Sequence, residues 1–243
     1  MITSEKDMYP AVKSLLVSQG FEVKGECRKV DALGVKGARG QEVVHAVEMK
    51  LTCNLKVLFQ AFGNLQKKLC HYSSIAVCIP SGTGKGLKRK NAMKMAITLR
   101  QICRELGLGL IIVDESTNSA LFTVEPEYKK ITGKAKSFER LLREFHDRTG
   151  DQNVGGVTRV TLITAFKERS IRIARALLNN GPLSTRDICQ ISNVEQSSSI
   201  LNGNKLEWFT RVQRGIYDLT PHGRNELMTT YASVVIAQEE AEQ

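Results

Sequence analysis

The sequence predicts a mixed α/β fold followed by a smaller helical domain that ends in a β-hairpin. Three observations carry this prediction. Hydrophobic periodicity alternates between strand-like and helix-like along residues 1–134, glycines cluster at residues 150–159, and helical patterns dominate the remainder. A chain of 243 residues, 42% hydrophobic and 25% charged, is long enough for one medium and one small domain.

The N-terminal part has the predicted element order αβββαβαβ. A first helical pattern ends at Gly20, and Pro10 indicates either that this helix starts near Tyr9 or that it kinks at the proline. The elements predicted next are strands at residues 21–27, 30–35 and 43–50, a helix at 54–69, a strand at 75–79, a helix at 91–106 and a strand at 108–113. This order predicts a mixed sheet flanked by helices.

The predicted helix after the third strand is amphipathic. Its apolar stripe runs from Leu55 to Leu69, and its opposite side carries Lys56, Gln60, Asn64, Lys67 and His71. The predicted domains are residues 1–134 for the α/β domain, 135–160 for a short amphipathic helix and a glycine-rich linker, and 161–243 for the C-terminal domain.

The C-terminal domain has the predicted order of a winged helix-turn-helix. Three helices precede a hairpin at residues 209–220 that turns at Arg214-Gly215. The GxYxLTPxG pattern from Gly215 to Gly223 is similar to that of many bacterial winged-helix proteins. The predicted recognition helix bears no positive charge, so dimerisation or protein docking stands as the alternative to DNA binding.

The formal net charge of +10 and the pI near 9.4 predict attraction to polyanions, with DNA as the expected partner and RNA as the alternative. The candidate phosphate contacts are basic side chains, each of which could equally be an ordinary surface cation: Lys88, Arg89, Lys90, Arg186, Lys205, Arg211, Arg214 and Arg224. Six cysteines without metal-ligand spacing indicate reduced core residues. With no apolar stretch of membrane-spanning length, the sequence favours a cytoplasmic protein without membrane contact.

The sharpest chemical signal is Glu48 and Lys50 at the end of a valine-rich strand. Side chains alternate along a strand, so these two point to one face while Met49 turns to the other. If Asp31 ends the antiparallel neighbour, its carboxylate converges on Glu48 and forms an oxygen-rich site suited to Mg²⁺ or Mn²⁺. Such a site serves phosphodiester hydrolysis, in which Lys50 would orient or deprotonate the attacking water or stabilise the transition state.

These residues resemble the PD-(D/E)XK nuclease superfamily, whose restriction-endonuclease-like core has the order αβββαβ. Val30-Asp31 stands where the superfamily has Pro-Asp. The resemblance is closer still to a bacterial branch with a C-terminal winged-helix domain, and it extends over most of the chain. The matching stretches are Glu5 to Tyr9, GFEVKGE, VEMK, CRELGLGL, LLREF and GDQNVGGVTR.

The resemblance implies a metal-dependent DNA endonuclease with Asp31 and Glu48 as metal ligands. It also implies roles for Glu5, an acidic helix residue near the metal, and for Gln60 on the helix after the third strand. Glu26 is an additional acidic candidate. The alternatives are that Glu48 and Lys50 form a solvated pair, that Glu5, Glu26 and Gln60 are surface residues, or that the fold binds DNA without cleaving it. Double-strand cleavage would favour a symmetric dimer.

Overall fold

The computed structural model describes residues 2–52, 54–79, 87–132, 136–148, 150, 151, 153 and 162–240, without the side chains of 87–93 and 237–240. Within this part, the chain divides into two compact units, Met1–Leu162 and Ile163–Gln243. None of the described helices is both long enough and apolar enough to cross a bilayer.

The first unit is built on a sheet whose six described strands are ordered β1-β2-β3-β4-β5-β6. The β3–β4 and β4–β5 pairs are parallel and the remaining pairs are antiparallel, which confirms the predicted mixed sheet. The strands are β1 (Glu22–Cys27), β2 (Val30–Lys36), β3 (Val43–Lys50), β4 (Tyr72–Ile79), β5 (Gly109–Asp114) and β6 (Ser119–Val124). The helices are α1 (Glu5–Ser18), α2 (Leu55–Gln66), α3 (Leu87–Leu106) and α4 (Lys136–Asp147).

Both faces of this sheet are covered by helices. On one face α1 packs against alternate strand residues, with Met8 and Val12 in the same cluster as Met49. On the other face, two further clusters join the sheet to α2 and α3 and to α4. Residues of β3 that point to opposite faces are therefore both buried, as expected for a central strand of an α/β sheet.

The structure distinguishes between the two predictions for helix α1. The helix begins at Glu5 and continues through Pro10, so the predicted start near Tyr9 is wrong and the proline lies inside the helix, as the other prediction requires. Ser4 and Asp7 form a capping box, which satisfies backbone donors at the first turn and sets the helix start before the proline. This early start brings Glu5 into the helix.

Helix α4 is held on the edge strand β1 by buried basic side chains. Lys24 donates from Nζ to the backbone oxygens of Phe145 (2.8 Å) and Arg148 (2.6 Å), and so caps carbonyls at the helix end. Arg148 donates to the carbonyl of Gly25 at 2.8 Å, and Asp151 accepts the Gly25 N–H at 2.7 Å. The amphipathic helix that the sequence grouped with the linker thus packs on the first unit, and most of residues 150–159 lie outside the described residues.

The second unit contains a described three-stranded sheet in the order β7-β9-β8, with helices before, between and after its strands. Its elements are α5 (Ala165–Asn180), β7 (Leu183–Ser184), α6 (Thr185–Ser192), α7 (Ser197–Gly203), β8 (Phe209–Gln213), β9 (Ile216–Leu219), α8 (Pro221–Met228) and α9 (Ala232–Glu240). The hairpin predicted to turn at Arg214-Gly215 is confirmed, and Gly215 has the positive φ of 79° that such a turn requires. Trp208 is buried in the core of this unit.

Candidate active site

The strand register places Asp31 beside Glu48. Strands β2 and β3 are antiparallel, and Ala32 pairs with Val47. Continuing this register by one residue sets Asp31 opposite Glu48, so the two carboxylates occupy neighbouring positions on adjacent strands. Asp31 accepts a hydrogen bond at Oδ2 from the backbone N–H of Met49 (2.8 Å), which ties its side chain to β3.

A third acidic residue, Glu26, continues the line onto β1. Its neighbours Gly25 and Cys27 pair with the two neighbours of Asp31, so Glu26 lies opposite Asp31. We call Glu26, Asp31 and Glu48 the carboxylate row. Glu26 has a φ of 50°, and left-handed non-glycine residues of this kind cluster at functional sites.

The carboxylate of Glu48 is buried and its ionisation is disfavoured. Glu48 is only 2% exposed. Burial, together with the charge of Asp31, raises the pKa of Glu48 to about 8. A hydrogen bond at 2.8 Å from Nδ2 of Asn64 and the positive charge of Lys50 act in the opposite direction. Burial likewise raises the pKa of Asp31, against the hydrogen bond from Met49 and the charge of Lys50. A cation placed between these two carboxylates, one buried and one half-buried, would stabilise their ionised forms.

Lys50 lies close to these carboxylates, but its ammonium is bound by Glu5. The distance between Lys50 Nζ and Glu5 Oε2 is 2.6 Å, and both side chains remain about one fifth exposed. The resemblance implied that Glu5 lies near the metal, and the structure places its carboxylate against the lysine. Glu5 therefore fixes the position of the ammonium at the end of β3.

Helix α2 covers this end of the sheet with two amide side chains. Gln60 and Asn64 are one helical turn apart and so share a face. Asn64 donates to Glu48, whereas the Oε1 atom of Gln60 is buried and has no hydrogen-bond partner in the described part of the chain. Gln60 thus provides a buried oxygen acceptor on the face of α2 that carries Asn64.

The sequence placed Asn64 on the side of α2 opposite the apolar stripe, but the structure buries it, with 8% exposed. A polar residue on an amphipathic helix can face either water or a buried polar group, and periodicity does not distinguish the two. The spacing of Asn64 four residues after Gln60 was the only sequence signal that could have identified it.

The donor set fits a hard divalent cation bound with part of its water shell. Mg²⁺ is commonly held by one or two carboxylates, with water completing its octahedron, and the site offers the carboxylates of Asp31 and Glu48. Among the residues that the structure describes, no three His, Cys, Asp or Glu side chains are grouped to enclose a metal ion.

The residues predicted to contact nucleic acid all follow the candidate site in the sequence. The side chains of Lys88, Arg89 and Lys90 fall outside the described ones. In the second unit Arg186, Lys205, Arg211 and Arg214 are exposed, whereas Arg224 is partly exposed with its guanidinium 3.9 Å from Asp218. The described cysteines are free thiols, as expected.

The first unit is a mixed α/β fold with a six-stranded mixed sheet among its described residues, which is consistent with a restriction-endonuclease-like core. Residues 110–226, just under half of the chain, match the family described as "Putative PD-(D/E)XK phosphodiesterase (DUF2161)". The match confirms the resemblance to the PD-(D/E)XK superfamily and supports an enzyme of the phosphodiesterase class. No curated protein and no solved structure matches the chain. The matched segment begins after β3, so the assignment of roles in the carboxylate row depends on the geometry.

Proposed function

We propose that the protein is a metal-dependent nuclease that hydrolyses phosphodiester bonds of DNA as an endonuclease. The observation that carries this proposal is the juxtaposition of Asp31 and Glu48 on adjacent strands, beside an ammonium group at the end of β3. Two adjacent carboxylates whose pKa values are both raised by burial, together with a nearby cationic group, form a reaction centre suited to a phosphate ester. The superfamily match independently supports this class of chemistry.

In this proposal Asp31 and Glu48 hold Mg²⁺ or Mn²⁺. When bound, the cation supplies charge neutralisation at the scissile phosphate and Lewis-acid activation. Asp31 is fixed by the Met49 N–H, which leaves its second oxygen free for the cation. Lys50 orients or activates the attacking water, or stabilises the transition-state charge, and Glu5 sets the position from which it does so.

The second unit is proposed to be a winged helix-turn-helix that docks DNA. Its described order α5, β7, α6, α7, β8 and β9 corresponds to that arrangement, with the β8–β9 hairpin as the wing. Arg211 and Arg214 are exposed on this hairpin, whereas α7 carries no charged side chain. The wing, rather than α7, is therefore proposed to contact the phosphate backbone.

A cleavage assay tests the proposed activity. Purified protein is incubated with supercoiled plasmid, single-stranded DNA or RNA, in Mg²⁺, Mn²⁺ or EDTA. We expect cleavage only with a divalent cation, and a loss of about 10²-fold or more in Lys50→Ala and in Glu48→Gln. Lys129→Ala, which removes a half-exposed lysine paired with Glu127, is the control and should cleave as the wild type does.

Cleavage that persists in both site variants would show that the nuclease activity does not arise from these residues. A second candidate function is DNA binding on a fold that no longer cleaves. The hydrogen bond from Lys50 to Glu5 favours it, because that contact draws the ammonium toward α1. Absence of cleavage on every substrate, together with DNA binding, would support this second function.

A further inference from the structure

In the described part of the chain, Asn64 is the only residue whose side chain donates a hydrogen bond to Glu48. Its Nδ2 atom donates to Oε1 of the carboxylate at 2.8 Å, and both residues are buried. A carboxylate that is held at one oxygen has a fixed plane and presents its other oxygen in one direction. The contact therefore determines where Oε2 of Glu48 lies.

The helix that carries Asn64 is firmly attached to the sheet. Val57 and Ala61 are buried against it, and Ser73 of β4 donates from its hydroxyl to the carbonyl of Ala61 at 2.8 Å. The side chain of Asn54 caps the first turn by accepting from the Val57 N–H at 3.1 Å. Asn64 thus projects from a helix that is packed on the sheet and hydrogen-bonded to it, as a group that orients another must.

We propose that Asn64 is a positioning residue for the metal site, and that it orients Glu48 so that its second oxygen faces the cation. This inference rests on the proposed function. Carboxylates that bind metal ions are themselves hydrogen-bonded by surrounding groups, and loss of such a partner weakens metal binding by about 10- to 100-fold. Because Asn64 carries no charge, it provides the hydrogen bond without competing for the cation.

The alternative is that Asn64 merely satisfies a buried acceptor and contributes to stability alone. Removal of a donor to a buried polar group destabilises a protein, so a lower melting temperature is expected in either case. The affinity for the metal in the absence of substrate separates the two roles. A positioning role also makes the effect dependent on the presence of the Glu48 carboxylate.

The experiment measures Mn²⁺ binding to the full chain by electron paramagnetic resonance, without nucleic acid, alongside thermal melting. The variants are Asn64→Leu, which keeps a similar volume, Asn64→Ala, Glu48→Gln and the double variant Asn64→Leu/Glu48→Gln. Ser73→Ala is the matched control, because it removes a buried hydrogen bond of the same helix that does not involve Glu48.

We expect Asn64→Leu to raise the Kd for Mn²⁺ about 10-fold or more, and the double variant to bind no more weakly than Glu48→Gln. Ser73→Ala should melt at a lower temperature but bind Mn²⁺ with wild-type affinity. If Asn64→Leu does not fold, the Mn²⁺ affinity of Asn64→Ala is compared with that of the wild type instead. If the Asn64 variant binds Mn²⁺ with wild-type affinity while Glu48→Gln binds it more weakly, the positioning role of Asn64 is wrong but the metal site stands. Wild-type affinity in Glu48→Gln would overturn the proposed metal site itself.

Discussion

At the scale of single residues, the environment of Glu48 combines two unfavourable features. Its carboxylate is buried, and it lies beside the carboxylate of Asp31, so both effects raise the pKa of Glu48, to about 8. Burial of an isolated charge costs several kcal/mol, and a structural role would be met more easily by an apolar residue. Such an arrangement is typical of sites where a bound cation restores the balance.

The raised pKa of Glu48 predicts a pH dependence of stability in the absence of metal. Between about pH 4.5 and 8 the carboxyl is ionised in the unfolded chain but protonated in the folded one. The unfolded chain therefore releases the proton more readily, and stability falls as pH rises, by about 1.4 kcal/mol per pH unit. Glu48→Gln should lose less stability than the wild type between pH 5 and 8, as measured by urea unfolding in EDTA.

The control for this measurement is Glu127→Gln, which changes an exposed carboxylate and should leave the pH dependence unchanged. Asp31 also has a raised pKa, so part of the dependence should remain in the Glu48 variant. An identical pH dependence in the wild type and in Glu48→Gln would show that Glu48 is not held in its protonated form at neutral pH.

The residues of the candidate site differ in how far the sequence reveals them. Asp31, Glu48 and Lys50 could be predicted because alternation along strands fixes which side chains share a face. Asn64 could not, since its burial depends on what lies beneath the helix rather than on the helix pattern. The contact between Glu5 and Lys50 depends on where α1 starts, which the capping box decides locally.

At the scale of elements, the strands that form the site were more predictable than the edge strand β6. The run of valines in β3 and the alternation in β2 reflect burial, which the sequence shows directly. Strand β6 was missed because it is an edge strand whose residues are mostly exposed or half-buried. Helices α8 and α9 are not among the predicted elements, and α8 begins at Pro221, inside the GxYxLTPxG pattern that indicates a wing.

The hairpin of β8 and β9 gives a prediction for nucleic-acid binding. Each phosphate contact that is lost reduces the slope of log affinity against log salt concentration by about 1. Arg211→Ala/Arg214→Ala should therefore weaken binding to duplex DNA and make this negative slope shallower by about 2. Fluorescence anisotropy over a series of salt concentrations measures both quantities. The expected loss is similar for different DNA sequences, because phosphate contacts carry no sequence information.

The matched control for the hairpin is Lys129→Ala/Lys130→Ala, which removes the same charge from exposed residues of the first unit. The control should change the slope less than the hairpin variant does. Equal changes in the two variants would show that binding reports only the net charge of the chain and would remove the support for a wing that contacts the backbone.

At the scale of the whole molecule, the chain contains a mixed α/β unit and a smaller, mainly helical unit, each with its own core. The family match extends from β5 into α8 and so includes residues of both units. The net charge of +10 suits a polyanionic substrate, although charge alone does not distinguish DNA from RNA. The central claim is that the carboxylates of Asp31 and Glu48 together bind a divalent cation.

The most direct test of this claim is a crystal soaked in Mn²⁺, with diffraction data collected to locate the anomalous scattering of manganese. We expect an anomalous peak between the carboxylates of Asp31 and Glu48, with metal–oxygen distances of about 2.0 to 2.2 Å. The same peak should be lost in Glu48→Gln crystals. A peak elsewhere in the molecule, with none between these two carboxylates, would show that Asp31 and Glu48 do not bind the cation.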